Sequence, residues 1–412
     1  MSLSLLILPA AANATALWVS NSAPVASPHN SCAQPGFNAV QPAIEAATVG
    51  EAINVCSGTY AEQITITKAV KLNAINGAGT AKVTLPAKVE DATTSCETAI
   101  KAPYQPDQDE ISICTGSTVT ITGLTVEALW PAGTCYDSLY GIFMAGGGTL
   151  KASNVTVDGA GASPINGCQG GIGIEIGTAR TEPGEIGHAT LSKVAVSNYQ
   201  KNGIDVAGVG STATITGATV TGAGATPAIA QNGIELAYGG TGKISGSTIS
   251  GNECEVANVC GFSGTQAAGI LIFGAGSSVK SSTIKENDFG LYYVSESPTQ
   301  PTTPELAITT DVFSANRYEG MLLDQGDASV KSDIITGPGK VGIDIYQYEE
   351  QAYAPTSSAS KDTVEGMTEA AVKVESDQKP GDHPGHFTIT GSSLSSNAQA
   401  VIDESSTFLV VL

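Results

Sequence analysis

The hydrophobic positions of this chain fall into a ladder. A small residue, an apolar residue, any residue and a second apolar residue recur in ten places, at steps of 21 to 36 residues. They run from Gly141-Ile142-Phe143-Met144 through Gly173-Ile174-Glu175-Ile176, Gly203-Ile204-Asp205-Val206 and Gly233-Ile234-Glu235-Leu236 to Ala371-Val372-Lys373-Val374 and Ala400-Val401-Ile402-Asp403. Residues two apart point to the same side of a strand, so each repeat predicts one strand with an inward apolar pair. A second ladder keeps step with the first, as apolar pairs five apart: Leu150 and Val155, Leu191 and Val196, Ile215 and Val220, Ile244 and Ile249, Val279 and Ile284, Ile308 and Phe313, Val330 and Ile335, Ile389 and Leu394. Two further short β segments per repeat follow. Three residues after the second member stands Asn252, Asn287, Asn316 or Asn397, a residue type that tolerates left-handed backbone and bonds neighbouring main chain. Such a period marks a solenoid, in which each coil buries its apolar face only against its neighbours.

Coils of this length, with β-branched residues inward and Gly or Asn at corners, suit a parallel β-helix. The chain resembles the right-handed parallel β-helix superfamily of pectate-lyase-like, carbohydrate-binding and sugar-hydrolase repeat proteins, over roughly residues 50 to 405. The expected fold is therefore all-β: a single-domain right-handed solenoid of roughly ten or more coils with a short N-terminal capping helix. We divide the chain into a signal-peptide remnant (1–16), a cap (17–50) and the β-helix with disulfide-tied loops (51–412). The resemblance implies polysaccharide as the partner. It leaves the chemistry open, since the superfamily contains lyases, hydrolases, esterases, epimerases, adhesins and non-enzymatic proteins.

Composition narrows the partners. The formal charge is −21, with only 14% charged residues, 41% apolar residues and 48 glycines. Arg180 and Arg317 are the only arginines in the sequence. A nucleic-acid role needs a clustered basic surface and is excluded, and anionic membranes would repel the chain. No stretch approaches the ~20 apolar residues of a membrane span. Met1 to Ala16 carries an apolar core from Leu3 to Leu8 and small-residue sites around Ala12 to Ala16, which reads as the end of a secretory signal without its basic start. A secreted or cell-surface monomer is the expectation. Eight cysteines agree with export and fall in close pairs, predicting disulfides Cys32 with Cys56, Cys96 with Cys114, Cys135 with Cys168 and Cys254 with Cys260. Zinc is the competing use, but no CxxC is present.

The N-terminal segment reads as a lid. Asn38 to Thr48 places Val40, Ile44 and Ala47 at helical spacing, so a short amphipathic helix would close the open core. Gly58-x-Tyr60-x-Glu62 resembles the first motif of pectin methylesterases. The aspartate-bearing motifs of that family have no counterpart here, so we read the segment as structural.

Candidate chemistry sits between the two inward residues of the first ladder. The outward occupants are Glu175, Asp205, Glu235, Leu271, Tyr292, Leu322 and Asp344. Three acids on consecutive coils would stand ~4.8 Å apart per coil on one sheet face. Like charges at that spacing repel by about 1 kcal/mol when hydrated and about 3 kcal/mol at an effective dielectric of 20. Carboxylates ~5 Å apart suit a retaining glycosidase and ~6.5 to 9.5 Å an inverting one, so Glu175, Asp205 and Glu235 are the catalytic candidates. The same three could hold Ca²⁺, or simply be solvated. Long segments at Asp158–Gly170, Thr221–Asn232 and Gly251–Ala268 would wall a groove beside them. Tyr292, Tyr346 and Tyr348 are candidates for stacking on sugar rings, and Tyr353 lies in the same later loop. A lyase reading lacks its base, since neither arginine lies on the ladder and Lys373 lies far from these three acids along the chain. His383 and His386 form a further, weaker metal candidate. These residues point to a protein that binds or processes a polysaccharide or cell-wall glycan, with paired-carboxylate hydrolysis of a neutral glycan as the chemistry and a non-catalytic adhesive solenoid as the alternative.

Overall fold

The computed structural model describes residues 16–75, 77, 79–91, 96, 108–131, 134–135, 138–178, 186–261, 264–274, 276–295, 305–347, 355–376, 385–405 and 409–411. Most of the expected signal remnant, together with Tyr348, Tyr353, Arg180 and His383, lies outside them. Three parallel sheets of 14, 12 and 11 strands run the length of the described residues, and most coils contribute one strand to each. This is the right-handed parallel β-helix expected from the repeats.

The first ladder forms the 12-stranded sheet. Ile142, Ile174, Ile204 and Ile234 are stacked in register, and the column continues through Ile270, Leu291, Met321, Ile343 and Val372 to Val401. The glycine before each apolar residue is needed for close approach. A Cβ at Gly203 would lie 2.5 Å from the Gly233 carbonyl oxygen, and one at Gly269 would lie 2.7 Å from that of Gly290. A side chain there would push coils apart.

The pairs five apart divide between the other two sheets. Ile215, Ile244, Val279 and Ile308 stack in the 14-stranded sheet, while Val220, Ile249, Ile284 and Phe313 stack in the 11-stranded one. One pair departs from this register. Leu150 aligns with Ala189, and the true partner of Val196 is Val157, so Leu150 and Val155 sit two residues early. Both still point inward and are fully buried, which is why the spacing alone misplaced them.

Polar stacks hold the corners. Asn252 donates to Asn287 at 2.8 Å and Asn287 to Asn316 at 3.1 Å, as the repeat of asparagines implies. Asn397 stands apart and bonds Met367 and Val364. A second stack, of aspartates, lies at another corner. Each carboxylate accepts a backbone N–H from the preceding coil: Ser282 donates to Asp311 (2.6 Å), Asp311 to Asp333 (2.6 Å) and Asp333 to Asp362 (2.9 Å).

The cap is the helix Val40–Ala46, with Val40, Ala43 and Ile44 buried over the first coil. Its N-terminus has no side-chain cap of its own. Glu62 supplies one, accepting the Val40 and Gln41 amides at 2.7 and 2.9 Å, which gives the Gly58-x-Tyr60-x-Glu62 segment its structural role. The strand Leu17–Val19 also joins the 14-stranded sheet beside Ala52–Val55, so the cap shares hydrogen bonds with the solenoid. All four expected disulfides are present.

Candidate active-site groove

The outward column of the 12-stranded sheet runs Phe143, Glu175, Asp205, Glu235, Leu271, Tyr292, Leu322, Asp344 and Lys373. The three candidate acids do stand on consecutive coils. Outward does not mean wet, however: Glu175 is 4% and Asp205 8% exposed. Asn202 donates to Asp205 at 3.2 Å and to Glu235 at 2.8 Å, and Asn232 donates to Glu235 at 3.0 Å. The amides thus bridge two carboxylates that would otherwise repel. Burial, then the Glu235 charge, raises the Asp205 pKa well above the usual carboxylate range, and burial also raises that of Glu235. Lys201, next to Asn202, donates to the Ala230 carbonyl, and burial lowers its ammonium pKa. Among the described residues, no cluster of three or more His, Cys, Asp or Glu has the geometry of a metal site, so these acids do not assemble the calcium cage considered from sequence.

The open part of the face lies three coils further on. A pocket of about 460 Å³ is lined by Phe289, Tyr292, Glu319, Leu322, Asp324, Asp344, Tyr346 and Glu375, with Gly264 and Gln266 as one wall. A smaller one of about 210 Å³ is lined by Lys201, Asn232, Leu271 and Phe273 and shares Gln266, Phe289 and Tyr292 with it. Together they form one groove with an aromatic middle. Tyr292 and Tyr346, two of the aromatic candidates from sequence, both line it, and the long segments before Asn232 and Ala268 supply walls.

Sequence reasoning missed most of the acids here. Glu319 precedes the glycine of its repeat and Asp324 follows the inward pair, so neither occupies the position compared across coils. Glu319 and Asp344 are hydrogen-bonded to one another. Burial, followed by the charges of neighbouring acids, raises both pKa values well above the usual range. Asp324 is pushed up to about 7 by burial, opposed by a hydrogen bond from the Tyr292 hydroxyl at 3.5 Å. Lys373 follows Asp344 directly in the column. It is remote from Glu175, as its place in the chain suggested, but it is not remote from acids: Glu375 lies 2.8 Å away, Glu369 and Glu404 3.6 Å. Burial works against its charge, yet the Glu375 hydrogen bond and the surrounding carboxylates raise its pKa.

One wall of the groove is clamped from behind. The buried Asp288 carboxylate accepts the backbone N–H of Cys254 and of Ala267, both at 3.0 Å, closing the base of the loop that bears Gly264 and Gln266. Arg317 pairs with Asp288 at 2.5 Å, donates to the Cys254 carbonyl at 2.6 Å and lies 4.9 Å over the Tyr318 ring. The Cys254–Cys260 disulfide ties the loop to itself.

The pattern of the family described as "Right handed beta helix region" matches residues 140–302 and, overlapping, 184–358. No curated protein matches the chain by sequence. Among solved structures, the Azotobacter vinelandii mannuronan C-5 epimerase A-module superposes with a TM-score of 0.56 at 11% identity, covering 88% of this chain and 92% of that one. The catalytic domain of a GH87 α-1,3-glucanase in complex with tetrasaccharides gives 0.56 at 12%, covering 98% and 70%. A periplasmic alginate epimerase gives 0.53 at 11%, covering 87% and 76%. At these identities the likeness concerns the fold.

Proposed function

The chain belongs to the right handed beta helix region family, and on that scaffold we propose an exported protein that processes a polysaccharide by glycoside hydrolysis in the groove around Tyr292. The observation that carries this reading is the pocket over Glu319, Asp324 and Asp344, where acids and aromatic rings converge on one open volume. Asp324, with its pKa lifted to about 7, suits a general acid that must hold its proton near neutrality. Glu375 lies two coils further in the same column, aligned through Tyr346. That is roughly 9.6 Å of backbone spacing, near the upper end of the separation that leaves room for water in an inverting pair. Phe289, Tyr292 and Tyr346 offer faces for pyranose rings. The disulfides support export, and the epimerase and glucanase folds named above support polysaccharide as the substrate class.

A second reading has its own observation. Lys201 borders the smaller pocket with a lowered pKa, as a base that abstracts a proton beside a sugar carboxylate requires. Lys373 does not suit that role, because the surrounding acids hold its proton. The non-catalytic alternative, an adhesive solenoid, predicts no product at all.

The test is incubation with neutral, acidic and amino polysaccharides, following reducing ends and the anomeric configuration of the product. Inverted product, lost in Asp324→Asn and Glu375→Gln at unchanged melting temperature, is expected. Unsaturated ends would move the reaction to Lys201. No product from any polymer would sink the enzymatic reading.

A further inference from the structure

The pocket over Glu319, Asp324 and Asp344 is built for a donor it does not contain within the protein. All three side chains are 2% exposed. Glu319, Asp324 and Asp344 line it, and Glu319 Oε2, Asp324 Oδ1 and Asp344 Oδ1 are buried there without a hydrogen-bond partner among the described residues. Leaving such acceptors unmet is costly, and more so if they are charged, so a bound group that donates to them is favoured. Lys373 cannot supply that group, since Glu375, Glu369 and Glu404 already engage it.

Resting on the proposed function, we propose that the polysaccharide taken by this groove carries protonated amino groups, one of which seats its ammonium among Glu319, Asp324 and Asp344. An ammonium offers three donors and no acceptor, and seating it favours release of the protons that burial makes these acids hold, so that their oxygens can accept from it. A sugar hydroxyl offers one donor and brings lone pairs that these oxygens repel. Uronates would bring like charge. Tyr292 and Phe289, 5.7 Å apart between ring centroids, add ring faces that attract a cation. The formal charge of −21 draws cationic polymers toward the chain and fits the same partner.

The test is calorimetric titration of the full chain with the glucosamine hexamer, the N-acetylglucosamine hexamer and a glucose hexamer, at about pH 6, where an amine is protonated. The glucosamine hexamer is expected to bind at least about tenfold more tightly than either neutral one, a gap of about 1.4 kcal/mol. Asp344→Asn and Glu319→Gln should each erase that gap. Both amides copy the shape of the protonated acid, so the fold should survive, and the melting temperature checks this. Glu365→Gln, on the exposed face of a different sheet, should leave the gap intact. Equal binding of all three hexamers, or tighter binding of a neutral one, overturns the amino-polymer assignment while leaving polysaccharide processing in place. Full glucosamine affinity in both pocket variants would reveal diffuse attraction to an acidic chain and also overturns it. If no hexamer binds, the assignment falls, and if the polysaccharide panel also gives no product, the broader function falls with it.

Discussion

Two acidic stretches of the 12-stranded sheet share a coil spacing and a residue type, yet they differ in what stands beside them. Asp205 and Glu235 are bridged by Asn202 and Asn232, whose amides answer the carboxylates directly. Glu319, Asp324 and Asp344 have no such amides, keep oxygens without partners among the described residues, and open on a pocket. The first arrangement is tied together by amides of its own chain, although Asp205 Oδ1 stays without a partner among the described residues; the second has no bridging amide and borders an open volume. Acid count along a ladder is thus a poor guide to chemistry, and so is local spacing: Asn202 and Asn232 each lie three places before an acid that they bond, yet Asn316 lies three before Glu319 and bonds Asn287 and the Ile284 carbonyl instead.

The largest effect expected from this contrast is in turnover. Asp324→Asn should lower kcat on the responsive polysaccharide by about 100-fold or more, the usual cost of losing a general acid, while Asp205→Asn should stay within a few-fold. Comparable losses in steady-state assays of the two variants would erase the distinction between the stretches.

Stability against pH comes next, and it should unite the two stretches with the aspartate stack. Asp311 is raised to about 6 and Asp333 to about 7, in each case mainly by burial, and Glu110 to about 9 by burial and then the charges of Glu62 and Glu127. Each folded value exceeds the unfolded one, so the folded chain holds protons that the unfolded chain has already released. Stability should therefore be greatest in mild acid and fall as pH rises from about 4 toward 9. Melting curves across that range check the direction. Asp333→Asn should flatten the part between about 4 and 7. A melting temperature that climbs through this window would contradict the assignment.

A smaller effect separates the stretches again. Asn202→Ala removes the amide that bridges the Asp205 and Glu235 carboxylates and should cost about 1–3 kcal/mol in chemical denaturation at neutral pH. Asp205→Asn in the same background should recover part of that, because the neutral amide needs no counter-donor. The smallest expected change is in the pH profile of turnover. Tyr292→Phe deletes the hydroxyl that stabilises ionised Asp324, so the alkaline limb should move upward by a fraction of a unit, with kcat at lower pH unaffected.

Much of this molecule was legible from residue spacing. Ile142 to Val401 form one column because successive coils must present the same inward position, and a repeated local need leaves a repeated local pattern. The capping helix, the asparagine stack through Asn316 and the four disulfides followed from equally local signals. The misplacement of Leu150 and Val155 shows the limit: along a strand buried on its inner face, every second residue satisfies the pattern, so a slip of two goes unnoticed. The aspartate stack was readable in principle, since Asp311 and Asp333 each follow an inward residue, Ile308 and Val330, by three places as the asparagines do.

What sequence alone determined is the solenoid: its register, its inward column, its glycine corners and the outward line of acids. Only the tertiary structure decided which acids matter, because exposure and hydrogen-bond partners come from loops and coils far apart in the chain. Gln266, Tyr292, Asp324 and Glu375 meet at one pocket although more than 100 residues separate the first from the last. Periodicity reports what every coil must do to pack on the next. A site is the place where a few coils do something different, and that difference is visible only once they are stacked.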